Sequence, residues 1–218
     1  KRKTLAREGY LTDFDAQFEA ANHPAIPSVL RELGQHTLLP ALIADARAAG
    51  LPAQRYIGEI TSIHQAVSNG GLSLRNFRNL AGMSGALAFL VETKLDSRDD
   101  QWPTWRNIEA RVARSLACQR AFVRRMQAER AALAKAVASA KVTAQKEPVT
   151  LRAVYALDHD HPTIELPLQR LADRKLETLS FADHRRVKTS DEIPMPATYV
   201  VSQPSDALRT ALERHGIH

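Results

Sequence analysis

The stretch "GALAFLVETK", Gly85 to Lys94, decides how the chain is read. Leu87 to Val91 is wholly apolar, the pattern of a short buried strand. Glu92 stands where that strand should end, followed by Thr93 and Lys94. Burying a carboxylate is costly unless it is paired or left neutral. An apolar strand that finishes on a glutamate therefore needs a reason.

Upstream of this strand lies "SNGGLSLRNFRN", Ser68 to Asn79. Asn69-Gly70-Gly71 is a strong turn signal, and residues 79–86 read as a short helical turn. Arg75, Arg78 and Asn79 therefore sit on a loop that feeds a strand carrying Glu92. Loops at strand ends are where α/β proteins place their chemistry, and arginine there can hold a carboxylate bidentately. The bland reading is a surface loop whose arginines pair with Asp96 or Glu59. From the residues alone the two readings balance.

Further out, Asp13 to Ala21 places Phe14, Phe18 and Ala21 at helical spacing. A second helix opens at Pro27-Ser28 and runs to about Ala49, with Gly50 as its stop. "RYIGEITSI", Arg55 to Ile63, suggests a strand. From Thr104 to about Val142 there is no glycine or proline, and a single long helix is expected. "TAQKEPV", Thr143 to Val149, marks a domain boundary. Beyond it "TLRAVYAL", "TIELPL" and "ATYVV" read as strands and "DALRTALERHG" as a closing helix. Residues 1–12 read as a polar loop.

Composition bounds the function. The chain has 218 residues, 44% hydrophobic and 25% charged, enough for a real core. No apolar run approaches the roughly 18 residues of a membrane span. The single cysteine, Cys118, excludes an internal disulfide and a cysteine-based zinc cluster, and reads as a structural thiol. The opening Lys1-Arg2-Lys3 reads as a mature form or a fragment. Net charge is +6, and its excess is local: nine arginines and lysines between Trp105 and Lys141 face only Glu109 and Glu129. With 6% aromatics there is little for bases to stack on, so a solvated basic helix face is expected and no nucleic-acid or membrane partner.

Other motifs give way to plainer readings. "DHDH", Asp158 to His161, could attract a metal but sits where a turn between strands belongs. No G-x-S-x-G elbow and no phosphate-binding glycine loop occurs. Three residues after the histidines stand Ile26, Leu39, Val67, Pro162, Ile164, Val187 and His218, never a glutamate. A local histidine–glutamate zinc motif is absent, and no metal ligand is assigned.

Arg78-Asn79, Gly82 and Leu90-Val91-Glu92-Thr93, in this order and spacing, resemble the segment around the catalytic glutamate of bacterial zinc carboxypeptidases of the M14 metallopeptidase family. "FDAQFEAANHPAIP" is similar to the segment that follows the third zinc ligand of such proteins. The likeness covers roughly residues 10–140. It implies an α/β fold, part of a three-layer α/β/α carboxypeptidase-like architecture with a mixed sheet, followed by the long helix 104–142 and a small α+β appendage. Residues 1–146 would be the C-terminal portion of the catalytic domain and 147–218 the appended domain. By this likeness the intact protein is a zinc-dependent hydrolase of amide bonds near a terminal carboxylate. Glu92 would be its general base, and Arg78, Asn79, Arg75 and Tyr56 would contact substrate, with acidic substrates favoured. The family's His-x-x-Glu motif and later histidine lie upstream of the matched region, so the zinc ligands would belong to the missing N-terminal part, and this chain alone would be inactive. The expected partners are a peptide or amino-acid conjugate and that missing part. The likeness leans toward a bacterial periplasmic or secreted setting. The competing expectation is a non-catalytic binding or scaffold domain of the same fold that recognises an acidic partner.

Overall fold

A computed structural model describes residues 5–94, 108–198, 200–214 and 216–217. Among these residues the architecture is mixed α/β, with three small sheets and helices packed on them. Its central sheet contains strands β1 to β4, excepting β1, which pairs elsewhere. Strand β1 is Tyr10–Thr12, β2 is Ala16–Ala20, β3 is Ala53–Arg55 and β4 is Phe89–Thr93. The order is β3-β2-β4, with β2 parallel to β3 and antiparallel to β4. This is a mixed sheet, and "GALAFLVETK" does supply one of its strands.

One reading is overturned at β2. The segment 13–21 is expected as a helix, yet Ala16–Ala20 is a fully buried strand. Phe14 and Phe18 are four apart, a spacing that fits both a helical turn and two strand repeats. Pairing on both sides settles the choice, because β2 is the middle strand. Its Ala16, Phe18 and Ala20 face an apolar layer that holds Leu39, Leu42, Ala46 and Cys118. Phe89 and Phe122 join this layer edge to face, with ring centroids 5.6 Å apart.

The helix expected from residue 28 to 49 is present in three parts. Helix α1, Ser28–Glu32, runs into a π-helical turn, Leu33–Leu38, and then α2, Leu39–Ala48. Pro40 explains the widening. It has no N–H to offer the preceding turn, and its ring would crowd that turn's carbonyl. The short helix α3, Phe77–Met83, is capped by Asn76, whose side chain accepts from the Arg78 backbone N–H at 3.0 Å.

The single long helix is corrected to two, α4 Ile108–Ala128 and α5 Arg130–Ala144, bent at Glu129 with φ −97° and ψ 12°. Residues 104–107 of that reading lie outside the described residues. Helix α4 lies on α2, and α5 lies on α1 through Ala136 and Ala140 against Ile26 and Leu30. Of the α4 arginines, Arg120 and Arg124 are exposed, whereas Arg111, Arg114 and Arg125 are half-buried, and Arg125 is held by Asp45 at 2.8 Å. Cys118 is buried, and burial pushes its thiol up to about 11, the state of a structural cysteine.

After residue 146 come strands β5 Val149–Ala156, β6 Thr163–Arg170, β7 Leu176–Ala182 and β8 Arg186–Ile193, then helix α6 Asp206–Arg214. Two of these strands escape the sequence reading, and "ATYVV" forms no strand at its described positions. "RYIGEITSI" likewise contributes only Arg55, the last residue of β3. β5 pairs β8, whereas β6 pairs both β7 and β1. A hydrophobic cluster joins Leu5, Ile57, Ile60 and Val67 to Leu166, Leu168 and Phe181. The "DHDH" stretch is a surface turn, with Asp158 Oδ1 accepting from the backbone N–H groups of Asp160 and His161.

Candidate functional site

The side of the central sheet away from the apolar layer is polar, although it is buried. Gln17 and Glu19 alternate with Ala16, Phe18 and Ala20 along β2 and so face the other way. Glu19 is fully buried. It survives there because it is paired. Arg55 Nε donates to its Oε2 at 2.9 Å and Arg55 Nη2 to its Oε1 at 3.0 Å. Gln35, delivered by the π turn, donates to Oε1 at 2.9 Å. Turning the Asn69 amide so that both ends find partners lets its oxygen accept from Arg55 Nη2 and Nε at 2.9 and 3.2 Å, while its nitrogen donates to the Tyr56 carbonyl. This is a satisfied ion pair whose carboxylate is buried and whose guanidinium is partly exposed.

A second guanidinium lies beside it, and this one is not satisfied. Arg78 projects from the first turn of α3 and is only 4% exposed. Its Nη2 donates to Asn22 Oδ1 at 3.3 Å and to the Gly71 carbonyl at 3.4 Å. Its Nε and Nη1 are buried with no hydrogen-bond partner. Loss of water around the guanidinium lowers its pKa, and Arg55 lowers it further, while Glu19, Tyr155 and Tyr56 draw the proton back. Arginine remains a cation through such a shift. Arg78 is therefore a buried positive group with donors to spare and no carboxylate of its own bonded to it.

Asn79, also predicted as a site residue, has a different task. Its Oδ1 accepts from the Asn22 N–H at 2.9 Å, and its Nδ2 donates to the carbonyls of Gly71 and Ser73, each at 3.3 Å. It ties the end of β2 to the glycine loop. The close approach at Gly70 explains that residue. A Cβ there would meet Tyr56 Cε1 at 3.2 Å and Arg78 Nη2 at 3.3 Å. Tyr56 is thus brought to the same point as Arg78. Arg75 is not: it stands exposed on the loop, its backbone N–H on Ser73 Oγ.

Glu92 is the penultimate residue of β4 and half-buried. The register sets it directly opposite Gln17, which in turn is opposite Gln54 on β3. Paired residues share a face, so Gln54, Gln17 and Glu92 form a row across three strands. The side-chain nitrogens of Gln17 and Gln54 are buried without partners. Glu19 follows Gln17 by two residues, roughly 7 Å along the strand. The Glu92 row and Glu19, whose charge acts on Arg78, therefore share one sheet face.

Sequence reasoning missed Glu19, Asn22 and Tyr155. Tyr155 comes from β5, its oxygen accepting from Asn22 Nδ2 at 2.8 Å and its O–H donating to the Gly70 carbonyl. No local signal marks these residues. They matter through contacts between segments from 16 to 133 residues apart. Comparison with protein-family models, curated proteins and solved structures finds no match. Among the described residues no three or more of His, Cys, Asp and Glu gather where a metal ion could be held.

Proposed function

We propose that the buried face around Arg78 binds a carboxylate and that Glu92 acts as a general base beside it, in a hydrolase of the M14 zinc carboxypeptidase type. One observation carries this reading: the Arg78 guanidinium is buried with Nε and Nη1 unfilled. Buried donors are ordinarily paired, and a lone buried cation is costly. A carboxylate supplies what both demands require, two acceptor oxygens and a negative charge. The Asn79 bonds to Gly71 and Ser73 hold the loop through which such a ligand would enter.

In this reading the substrate's terminal carboxylate lies on Arg78, and its amide carbonyl reaches toward the row that contains Glu92. Glu92 accepts a proton from the attacking water and returns one to the leaving amine. The unpaired amide nitrogens of Gln17 and Gln54 lie beside it as donors. The zinc implied by the resemblance finds no ligand set among the described residues, so the residues do not fit it and no step is routed through it. The three-layer carboxypeptidase architecture belongs to the same proposal. The mixed sheet β3-β2-β4 with helices on its apolar face is the observation that supports it.

The test has two arms. Titration of the chain with succinate should show saturable binding that Arg78→Ala abolishes. In the full-length protein, stoichiometric zinc and loss of amide hydrolysis in Glu92→Gln should accompany it. Binding to Arg78 in a full-length protein without zinc or activity would instead support the second reading, a carboxylate-recognising module without catalysis. Undiminished turnover of basic or aromatic C-terminal residues alongside acidic ones after Arg78→Ala would exclude the proposed acidic preference.

A further inference from the structure

The segment after residue 146 enters the site at one point, Tyr155. Its phenol oxygen accepts from Asn22 Nδ2 at 2.8 Å, and its O–H donates to the Gly70 carbonyl. Asn22 Nδ2 reaches that carbonyl too, at a longer 3.3 Å. On the other side of the same amide, Asn22 Oδ1 accepts from Arg78 Nη2 at 3.3 Å. The donor and acceptor roles form a directed chain, from Arg78 through Asn22 and Tyr155 to Gly70. An amide can turn over, and what fixes its orientation is the partner at each end. Arg78 Nη2, which can only donate, holds the Asn22 oxygen, and Tyr155, its own proton given to Gly70, is left to accept from the Asn22 nitrogen. Burial raises the Tyr155 pKa, with Glu19 raising it further, so the phenol keeps the proton it donates.

The same segment holds the other end of the loop. The Val67 N–H donates to the Ala182 carbonyl and the His184 N–H to the Val67 carbonyl, each at 2.9 Å. The loop from Val67 to Gly71 is therefore clamped at both ends by residues that follow Arg78 in sequence by a long way, and Arg78 leans on that loop at Gly71.

We propose that Tyr155 is a positioning residue: through Asn22 and Gly70 it fixes the Arg78 guanidinium and so sets the affinity of this site for a carboxylate. The proposal rests on the reading of Arg78 as the carboxylate anchor. It makes the C-terminal segment a part of the site.

The test measures succinate affinity and thermal unfolding of the whole chain for wild type, Tyr155→Phe and Tyr10→Phe. Tyr10 is the matched control, because its hydroxyl also bridges the two segments, donating to Glu177 Oε2 at 3.1 Å, but away from Arg78. Each variant loses one hydroxyl contact. The expected result is an affinity loss of about tenfold in Tyr155→Phe, the size of one hydrogen bond, and a change below about twofold in Tyr10→Phe. A purely structural role would move unfolding and leave affinity in place. Tyr155→Phe binding succinate as tightly as wild type overturns the proposal while leaving the Arg78 reading intact. Wild type that does not bind succinate overturns both.

Discussion

At the scale of single residues, the molecule contrasts two arginines, a half-buried one and a buried one. Arg55 has its carboxylate, Glu19; Arg78 has only Nη2 satisfied. Breaking a buried pair leaves a charge without compensation, whereas removing an unpaired buried charge relieves it. Glu19→Gln should lower unfolding stability by about 3 kcal/mol, and Arg78→Met should leave it within about 1 kcal/mol of wild type or raise it. Chemical denaturation of both variants checks this. His23 gives a pH signature. Burial lowers its pKa below the ordinary imidazole value of 6.5, so the unfolded chain takes up its proton first as pH falls. Its stabilising share is full above that unfolded value and is lost as pH falls through the lower folded value. His23→Gln should flatten the stability profile in that window. Arg78, Asn79 and Glu92 could be singled out in the sequence because an arginine-bearing turn feeds an apolar run that ends on a carboxylate. Glu19 was not, since a glutamate in a short alternating segment looks solvent-facing until the tertiary structure buries it.

At the scale of elements, the motif glycine Gly82 shows how spacing encodes packing. It lies in α3 against the turn after β2, and a Cβ there would come within 2.8 Å of Ile26 Cδ1 and 3.0 Å of Ala21 Cβ. Real side chains do not approach so closely, so either the tip of Ile26 or α3 must give. Gly82→Ala should cost about 1–3 kcal/mol despite alanine's better helix propensity. Thermal unfolding measures it, and a stabilised variant would show that α3 has room to move. The β4 strand was readable because an apolar run bounded by small and polar residues has few alternatives. β2 was not, because its aromatic spacing satisfies two periods and only its neighbours decide. The bend at Glu129 was hidden because helix formers continue across it, and the backbone bonds do as well: Glu129 N–H to Arg125 O and Leu133 N–H to Glu129 O are both 3.0 Å.

At the scale of the whole molecule, the segment after residue 146 is bound into what precedes it. β6 completes a sheet with β1, and Leu166, Leu168 and Phe181 cover Leu5, Ile57, Ile60 and Val67. Truncation after residue 146 should therefore expose that cluster and weaken or abolish cooperative unfolding, with increased binding of a hydrophobic dye. A truncated chain that melts sharply and binds no dye would mean that the cluster is dispensable. Composition changes near residue 147 were visible in the sequence. The contacts that cross it were not, since a pairing between residues 10–12 and 168–170 leaves no local trace.

The central claim is that Arg78 is a carboxylate anchor. Calorimetric titration of the whole chain with succinate, beside Arg78→Met, tests it most directly. The account predicts saturable one-site binding by the wild type and none by the variant, whose unfolding midpoint is unchanged or higher. Absence of binding by the wild type, or equal binding by both, would contradict it.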